Sequence, residues 1–394
     1  MASKRKKRNR RRKKRKSRKS FLIIALFVAG TITLALLSYI TGLTSPVSIP
    51  LYEETYSRKS ALNREIGKID RTVYESLFRE GIPEKNIVFL GVNPKHERER
   101  DWDFTELLIR LSERDSLAHF QKSIGVALSP LRPTVRHKIE KCSDKEIVYH
   151  IFALGFYTHK IRFVRDSYQK AFHRGPPKVA IIIDDLGYDL DLAESFIHLD
   201  LPIDVSVLPL APHTNAIVDL ANRKGCELIL HLPMEPKNYP DLNPGPGALL
   251  VDMQEAEIIK TIDRHLGRVS GARGVNNHMG SLFTERKSKM AFVLRELRRR
   301  GLFYVDSRTT SRTVALSVAK QMGVPAASRS VFLDNDLSPK AMRYQMQRLF
   351  GIARHSGGAI GIAHPHRETL RFLQNYLPRL KSEVKVVRAS NIAG

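Results

Sequence analysis

From Lys178 onward the sequence alternates short apolar runs with amphipathic stretches, and this alternation does most to limit the folds open to the chain. VAIII (179–183), IDVSVL (203–208), CELIL (226–230), GVNN (274–277), LFYVD (302–306), ASRSVFLD (327–334), GGAIGIA (357–363) and EVKVVRA (383–389) read as strands. Helical patterns separate them, near 189–199 and 213–225 and over 253–267, 285–300, 309–322, 338–355 and 366–376. Continuous apolar runs suit strands buried on both faces, and strands that alternate with helices build a parallel sheet. Seven or eight such units in about 215 residues predict a β/α barrel, with an open doubly wound sheet as the alternative.

The chain before this region divides by composition. Of its 394 residues, 42% are hydrophobic and 27% charged, which excludes wholesale disorder. The net charge is +26, but residues 4–19 hold 14 of the 66 Lys and Arg and no acid, so about half the excess sits on a tail at 1–20. Residues 21–43 carry no charge. As a helix they reach about 35 Å, enough for the ~30 Å core of a bilayer. They predict a single-pass anchor in the inner or cytoplasmic membrane. The basic flank stays cytoplasmic and the domains lie outside, in the periplasm of a Gram-negative cell. A cleaved signal peptide is the rival, but its apolar core is usually shorter and no small-x-small site is evident. The basic run then reads as topogenic charge helped by anionic lipid. Nucleic-acid binding would need the tail free of the membrane, so no nucleic-acid partner is expected.

Residues 44–60 are polar and read as a linker. Residues 61–172 predict a small α+β module. It has a helix over 61–80, strands at 86–92 and 103–111, a helix at 113–122, and then the runs GVALSPL, HKIEKC, EIVYHIFAL and HKIRFVRD. It shows no catalytic constellation. His150 and His159 read as solvated or structural, and the module's partner stays open. Gly-Pro-Pro within HRGPPK (173–178) breaks the chain before the second domain, 176–392. Two cysteines, Cys142 and Cys226, exclude a disulfide-rich scaffold and a Cys-based zinc cluster, and whether they pair is left open.

In parallel β/α folds chemistry gathers at the carboxyl ends of strands. Here those ends release Asp184-Asp185, His231 to Glu235, Asn276-Asn277-His278, Asp306-Ser307-Arg308, Asp334-Asn335-Asp336 and His364-Pro365-His366. One such Asp alone is more often a helix cap, as expected for Asp189 and Ser338. Jointly the ends place polar types where buried strands seldom carry them unless paired or bound. Imidazole and carboxylate together suit a divalent metal such as zinc. Adjacent carboxylates allow one to bind metal while the other serves as general base. His364 and His366 share a face if extended, and one can donate a proton. His213, in the turn APHT, reads as a loop or capping residue.

IIIDDLG, LILHLPMEP, VNNHMGS, YVDSRTT and IGIAHPH, in this order, resemble the divergent polysaccharide deacetylase family, within the wider NodB-homology deacetylases. The resemblance covers roughly 176–392. It implies a distorted seven-stranded β/α barrel with a zinc-type site that removes acetyl groups from polysaccharides. By position it implies Asp184 as base, Asp185 and His231 as metal ligands, and His364 as proton donor. The second His of the family's His-x-x-x-His pair is Glu235 here. Asn276-Asn277-His278 stands where the family has an Arg, so His278 can replace the missing imidazole, with Glu235 as alternative ligand. Asp306 matches the fourth motif, followed by Ser307-Arg308 rather than an aromatic. Asn277 or a backbone N–H near Gly280 is the candidate oxyanion donor, and Asp306 and His366 are candidate substrate contacts. The function expected is a metal-dependent hydrolase acting on an acylated cell-envelope glycan. The alternative is an inactive glycan-binding or assembly module that retains the barrel.

Overall fold

The computed structural model describes residues 60–112, 115–165 and 175–394. The basic tail, the expected membrane span at 21–43, nearly all of the linker and the end of the module's range at 166–172 lie outside them. Among the described residues no helix is long and apolar enough to cross a membrane.

The first layer of the module is helix α1 (Ala61–Arg79). Ser60 Oγ accepts from Asn63 N at its start, and Leu62, Ile66, Ile69, Val73 and Leu77 recur every three or four residues to make its buried stripe. Strands β1 (Ile87–Glu97) and β2 (Arg100–Leu111) form a hairpin. Helix α2 (Leu117–Leu128) takes in GVAL of the run read separately from the sequence. Phe120, Ile124 and Leu128 are buried on one helical face, so the 3.6-residue period runs through it. Strands β3 (Val135–Lys141), β4 (Glu146–Ala153) and β5 (Phe156–Arg165) complete a sheet of order β1-β2-β5-β4-β3.

The second sheet follows the alternation in the sequence. Its units are β6 (Lys178–Leu186) and α3 (Leu190–Ile197), β7 (Asp204–Val207) and α4 (Thr214–Lys224), β8 (Glu227–Met234) and α5 (Glu255–Arg268), and β9 (Gly274–Met279) and α6 (Lys287–Arg299). They continue with β10 (Phe303–Asp306) and α7 (Ala315–Met322), β11 (Ala326–Ser328), β12 (Val331–Phe332) and α8 (Pro339–Ser356), β13 (Gly358–Ala363) and α9 (Arg367–Glu383), β14 (Lys385–Val386) and α10 (Ser390–Ala393). The order is β11-β10-β9-β8-β7-β6-β13-β12, with β14 against β6. The strands pair in parallel and curl into a half-barrel.

The structure departs from the sequence pattern at two strands. The run 327–334 is not one strand: β11 adds to β10 and β12 to β13, so Arg329-Ser330 carries the chain from one sheet edge to the other. Among the described residues no pairing joins β11 to β12, and the sheet stays open at that point. The terminal run 383–389 contributes only the two residues of β14, because α9 continues through Pro378 to Glu383.

The module and the curled sheet form one compact unit. Asp70 of α1 accepts from Tyr344 of α8 at 2.7 Å and from His159 of β5 at 3.2 Å, all three buried. His159 is therefore a structural tie between layers. Glu84 bonds Gln347 and Arg379, and Asp101 near the hairpin tip bonds Ser311 in the loop after β10. At Gly351 of α8 a Cβ would lie 2.6 Å from the Phe89 ring, so only glycine lets β1 approach so closely. The module thus rests on α8 and on a loop at the carboxyl end of β10.

Asp204 and Glu227 face each other across β7 and β8 and hold the C-terminal turn, accepting from Ala389 N and from Ser390 N and Oγ. Burial, then the facing Glu227, pushes the Asp204 carboxyl well above its usual range. A raised carboxyl stabilises the fold fully below its unfolded value near 3.8 and loses that contribution as pH rises through the folded value. Asp204→Asn keeps an acceptor for Ala389 N and cannot ionise. It is expected to be more stable than wild type at pH 7.5 by about 1–3 kcal/mol, with the gap closing towards pH 4.5. Urea melts at the two pH values check this, and an equal gap at both would refute it.

Candidate metal centre

Consecutive residues of a strand point to opposite faces, yet Asp184 and Asp185 both serve one cluster. The register between β6 and β7 slips between Ile183 and Leu186, and Asp185 takes φ +56°. This bulge turns both carboxylates inward at the end of β6, at the expense of a left-handed backbone that non-glycine residues seldom adopt. Strand register supplies the partners. His231 of β8 lies beside Asn276 of β9, and His278 comes two residues later on the same face.

The three donor atoms converge. Asp185 Oδ1 lies 3.0 Å from His231 Nε2 and 2.8 Å from His278 Nδ1, and the two ring nitrogens are 3.1 Å apart. Among the described residues this is the group of His, Cys, Asp and Glu able to hold a metal ion. A tetrahedral zinc with bonds of about 2.0–2.1 Å separates its ligand atoms by about 3.3 Å, close to this triangle. Two imidazole nitrogens and one carboxylate oxygen form the three-ligand set of an open catalytic site. They also suit other divalent ions that take imidazole and carboxylate. Burial pushes the Asp185 carboxyl up, but His278 and His231 outweigh it and hold the group well below the usual carboxylate range. It stays ionised and ready to bind a cation.

Asn276 organises this cluster, and strand-end reasoning did not assign it a role. Its Oδ1 accepts from His231 Nδ1 at 2.8 Å and from Ser206 Oγ at 2.9 Å, while its Nδ2 donates to Asp184 Oδ1 at 2.7 Å. The amide orientation follows from these partners, since only the nitrogen can face a carboxylate. The amide thus fixes the ring by its Nδ1–H and turns Nε2 to the cluster, where a bound cation would take the place of its proton. Asp184 Oδ2 and His278 Nε2 are buried without a hydrogen-bond partner, so both can meet a bound molecule.

His364, at the end of β13, is held separately. Its Nδ1 lies 2.9 Å from Asp334 Oδ1, its backbone N donates to Asp334 Oδ2 at 2.7 Å, and Thr369 Oγ1 donates to the same oxygen at 2.8 Å. Burial raises the Asp334 carboxyl, but the His364 contacts outweigh it and lower it on balance. Asp334 therefore fixes the imidazole with Nδ1 as donor and leaves Nε2 to exchange a proton. The sequence shows Asp334 at a strand end, but only the fold pairs it with His364.

Other expected residues are placed elsewhere. Glu235 lies outside the three-residue cluster: its carboxylate accepts from Val251 N at 2.6 Å, and its carbonyl accepts from Leu282 and Phe283 N. Asn277 faces away from His278 along β9. Its Oδ1 accepts from Tyr304 OH and Ser307 N, and its Nδ2 donates to Met279 O, so the side chain builds the fold around β10 and is not placed as an oxyanion donor. Asp306 accepts from Arg308 N and Thr313 Oγ1 and shapes the 306–313 loop. His366 precedes α9, its ring centroid 6.4 Å from that of His364. Gly280 takes φ +89°, and a Cβ there would lie 2.8 Å from Met234 Cβ. His213 is exposed just before α4, while Asp189 and Ser338 accept from Leu192 N and Ala341 N as helix caps.

A curled parallel sheet that gathers two histidines and an aspartate pair at its strand ends defines the class of protein. The family profile described as divergent polysaccharide deacetylase matches residues 181–393, and the chain belongs to that family. The uncharacterized protein YibQ of Escherichia coli K12 is 35% identical over 215 residues, covering 55% of this chain and 67% of its own length. An uncharacterized protein of Haemophilus influenzae Rd is 32% identical over 222 residues, covering 56% and 79%. A solved structure, the uncharacterized protein ATU2773 from Agrobacterium tumefaciens C58, aligns with a TM-score of 0.53 at 25% identity, over 57% of this chain and 92% of that one.

Proposed function

We propose that the protein is a membrane-anchored, extracytoplasmic, metal-dependent hydrolase that removes acetyl groups from a cell-envelope polysaccharide. The observation that carries the chemistry is the meeting of Asp185, His231 and His278 within 3.1 Å, with Asp184 tied to the same cluster through Asn276. Family membership supports the deacetylase class, and the uncharged run at 21–43 behind the basic tail supports the anchor.

Asp185, His231 and His278 would hold the ion, zinc being the first candidate, and a bound divalent ion would polarise the acyl carbonyl and acidify water. Asp184 accepts the proton of the attacking water through Oδ2. Asn276 keeps the other oxygen engaged, so the carboxylate is oriented before reaction. His364 gives a proton from Nε2 to the departing amine or alcohol, and Asp334 stabilises the imidazolium that precedes this.

The test is elemental analysis of the full chain in detergent beside Asp185→Ala and His231→Ala, with acetate release from acetylated wall glycan. About one ion per wild-type chain is expected, lost in both variants together with acetate release. A metal-free wild type, or activity retained in Asp185→Ala, would overturn the reading. Metal retention without acetate release from any acetylated glycan would favour the binding-module alternative, which Glu235 in place of the family's second His supports.

A further inference from the structure

A cavity of about 390 Å³ runs along the seam between α1 and the barrel, within the range of roughly 300–1,000 Å³ typical of small-molecule sites. None of the three cluster residues lines it. Its walls are cationic. Helix α1 supplies Arg64 and Arg71, with Lys68 paired to Glu65 at 2.7 Å, and the half-barrel supplies Arg308, Arg329 and Arg348. The lining acids are Asp70, Asp103 and Asp336. Asp70 is committed to His159 and Tyr344. Asp103 lies 3.9 Å from Arg308 Nη2 and 3.7 Å from Arg348 Nη2, and Asp336 lies 3.9 Å from Arg71 Nη1.

Arg308 is built into this wall. It adopts φ +53°, its N donates to Asp306 Oδ1, and its Nη1 donates to Arg329 O at 3.4 Å. Its side chain is only 12% exposed, and its Nη2 is buried without a hydrogen-bond partner. A guanidinium so desolvated calls for an anion. Arg329 is fixed by donating to Ser307 O and Arg308 O, and its guanidinium lies 3.8 Å over the Phe332 ring. That ring stands 5.7 Å from the ring of His364. The same loop carries Asp334, which holds His364, and Asn335 and Asp336, which line the cavity. The cavity therefore backs onto the proposed proton donor.

We propose that the module and barrel together form a subsite for the carboxylate of an acidic saccharide. Given the deacetylase reading, on which the assignment to the substrate rests, this makes the module a specificity element that selects acidic glycans. Arginine forks bind carboxylate and phosphate alike, so the test separates these sources.

Calorimetric titration of the full chain in detergent compares three probes: a hyaluronan tetrasaccharide, which carries N-acetyl groups and carboxylates, neutral chitotetraose, and inorganic phosphate. The acidic tetrasaccharide is expected to bind at least about tenfold more tightly than chitotetraose, and added salt to weaken it. Arg308→Gln is expected to lower that affinity by about tenfold or more. Arg71→Gln, on the half-exposed rim, removes charge from α1 and gives up only the exposed 3.9 Å pairing with Asp336, and is expected to lower it several-fold. Equal binding of the acidic and neutral probes, or unchanged affinity in both variants, would overturn the proposal. Phosphate binding without saccharide binding would overturn the saccharide assignment. The titration is repeated on Asp185→Ala. Acidic binding there without metal confirms the subsite even if the deacetylase reading fails, and a metal-loaded wild type that ignores the carboxylate refutes the subsite alone.

Discussion

Asp184→Asn is expected to keep the bound ion and to lose about 10²–10⁴-fold in kcat, the usual worth of a general base. The substitution is nearly isosteric. The Asn Oδ1 can still accept from Asn276 Nδ2, which Asp184 Oδ1 meets at 2.7 Å, so the hydrogen-bonded string to His231 survives. What disappears is the basic oxygen at Oδ2, buried and without a hydrogen-bond partner. Asp184 is not one of the three converging ligands, so metal content should not change. Metal analysis and acetate release on one preparation check this. Loss of the ion would make Asp184 a ligand, and turnover within a few-fold of wild type would move the base elsewhere.

The second large effect is expected at a residue that touches neither metal nor substrate. Asn276→Ala removes the acceptor that holds His231 Nδ1–H and the donor that holds Asp184. His231 can then rotate or carry its proton on Nε2, where it opposes a cation. Metal affinity is expected to fall about 10–100-fold, as when such supporting partners are removed from other metal sites. Competition against a chelating dye at fixed pH reads this directly. Because Ser206 Oγ also donates to the Asn276 Oδ1, a thermal melt accompanies the assay to separate lost ligand orientation from lost packing. Unchanged affinity in a folded Asn276→Ala protein would show that the fold alone orients His231.

The alternation from Lys178 onward was legible because a parallel strand covered on both faces can only be apolar, and helices between such strands need one apolar stripe. The same logic singled out Asp184, Asp185, His231, His278 and His364 at strand ends, and the structure brings Asp185, His231 and His278 together with Asp184 tied to them through Asn276. It misplaced residues for reasons of geometry. Asn277 and His278 are neighbours in sequence, but alternate faces of β9 send one into the fold and the other into the cluster. Glu235 sits at the family's ligand position, yet it lies outside the three-residue cluster and its Oε2 accepts from Val251 N. The run 327–334 looked like one strand because hydropathy cannot reveal that β11 and β12 join opposite sheet edges.

The amino-acid sequence by itself determined the alternation of strands and helices from Lys178 to the end of β10, the residue types at each strand end, and the family. These depend on local periodicity and on which groups can be buried. Tertiary structure alone decided which ends meet. The register slip of β6 against β7 at Asp184-Asp185, the pairing of His231 with Asn276, the Asp334 partner of His364 and the cationic seam beneath α1 all depend on residues apart in the chain. Their contacts depend on strand register and layer packing, which no local pattern encodes.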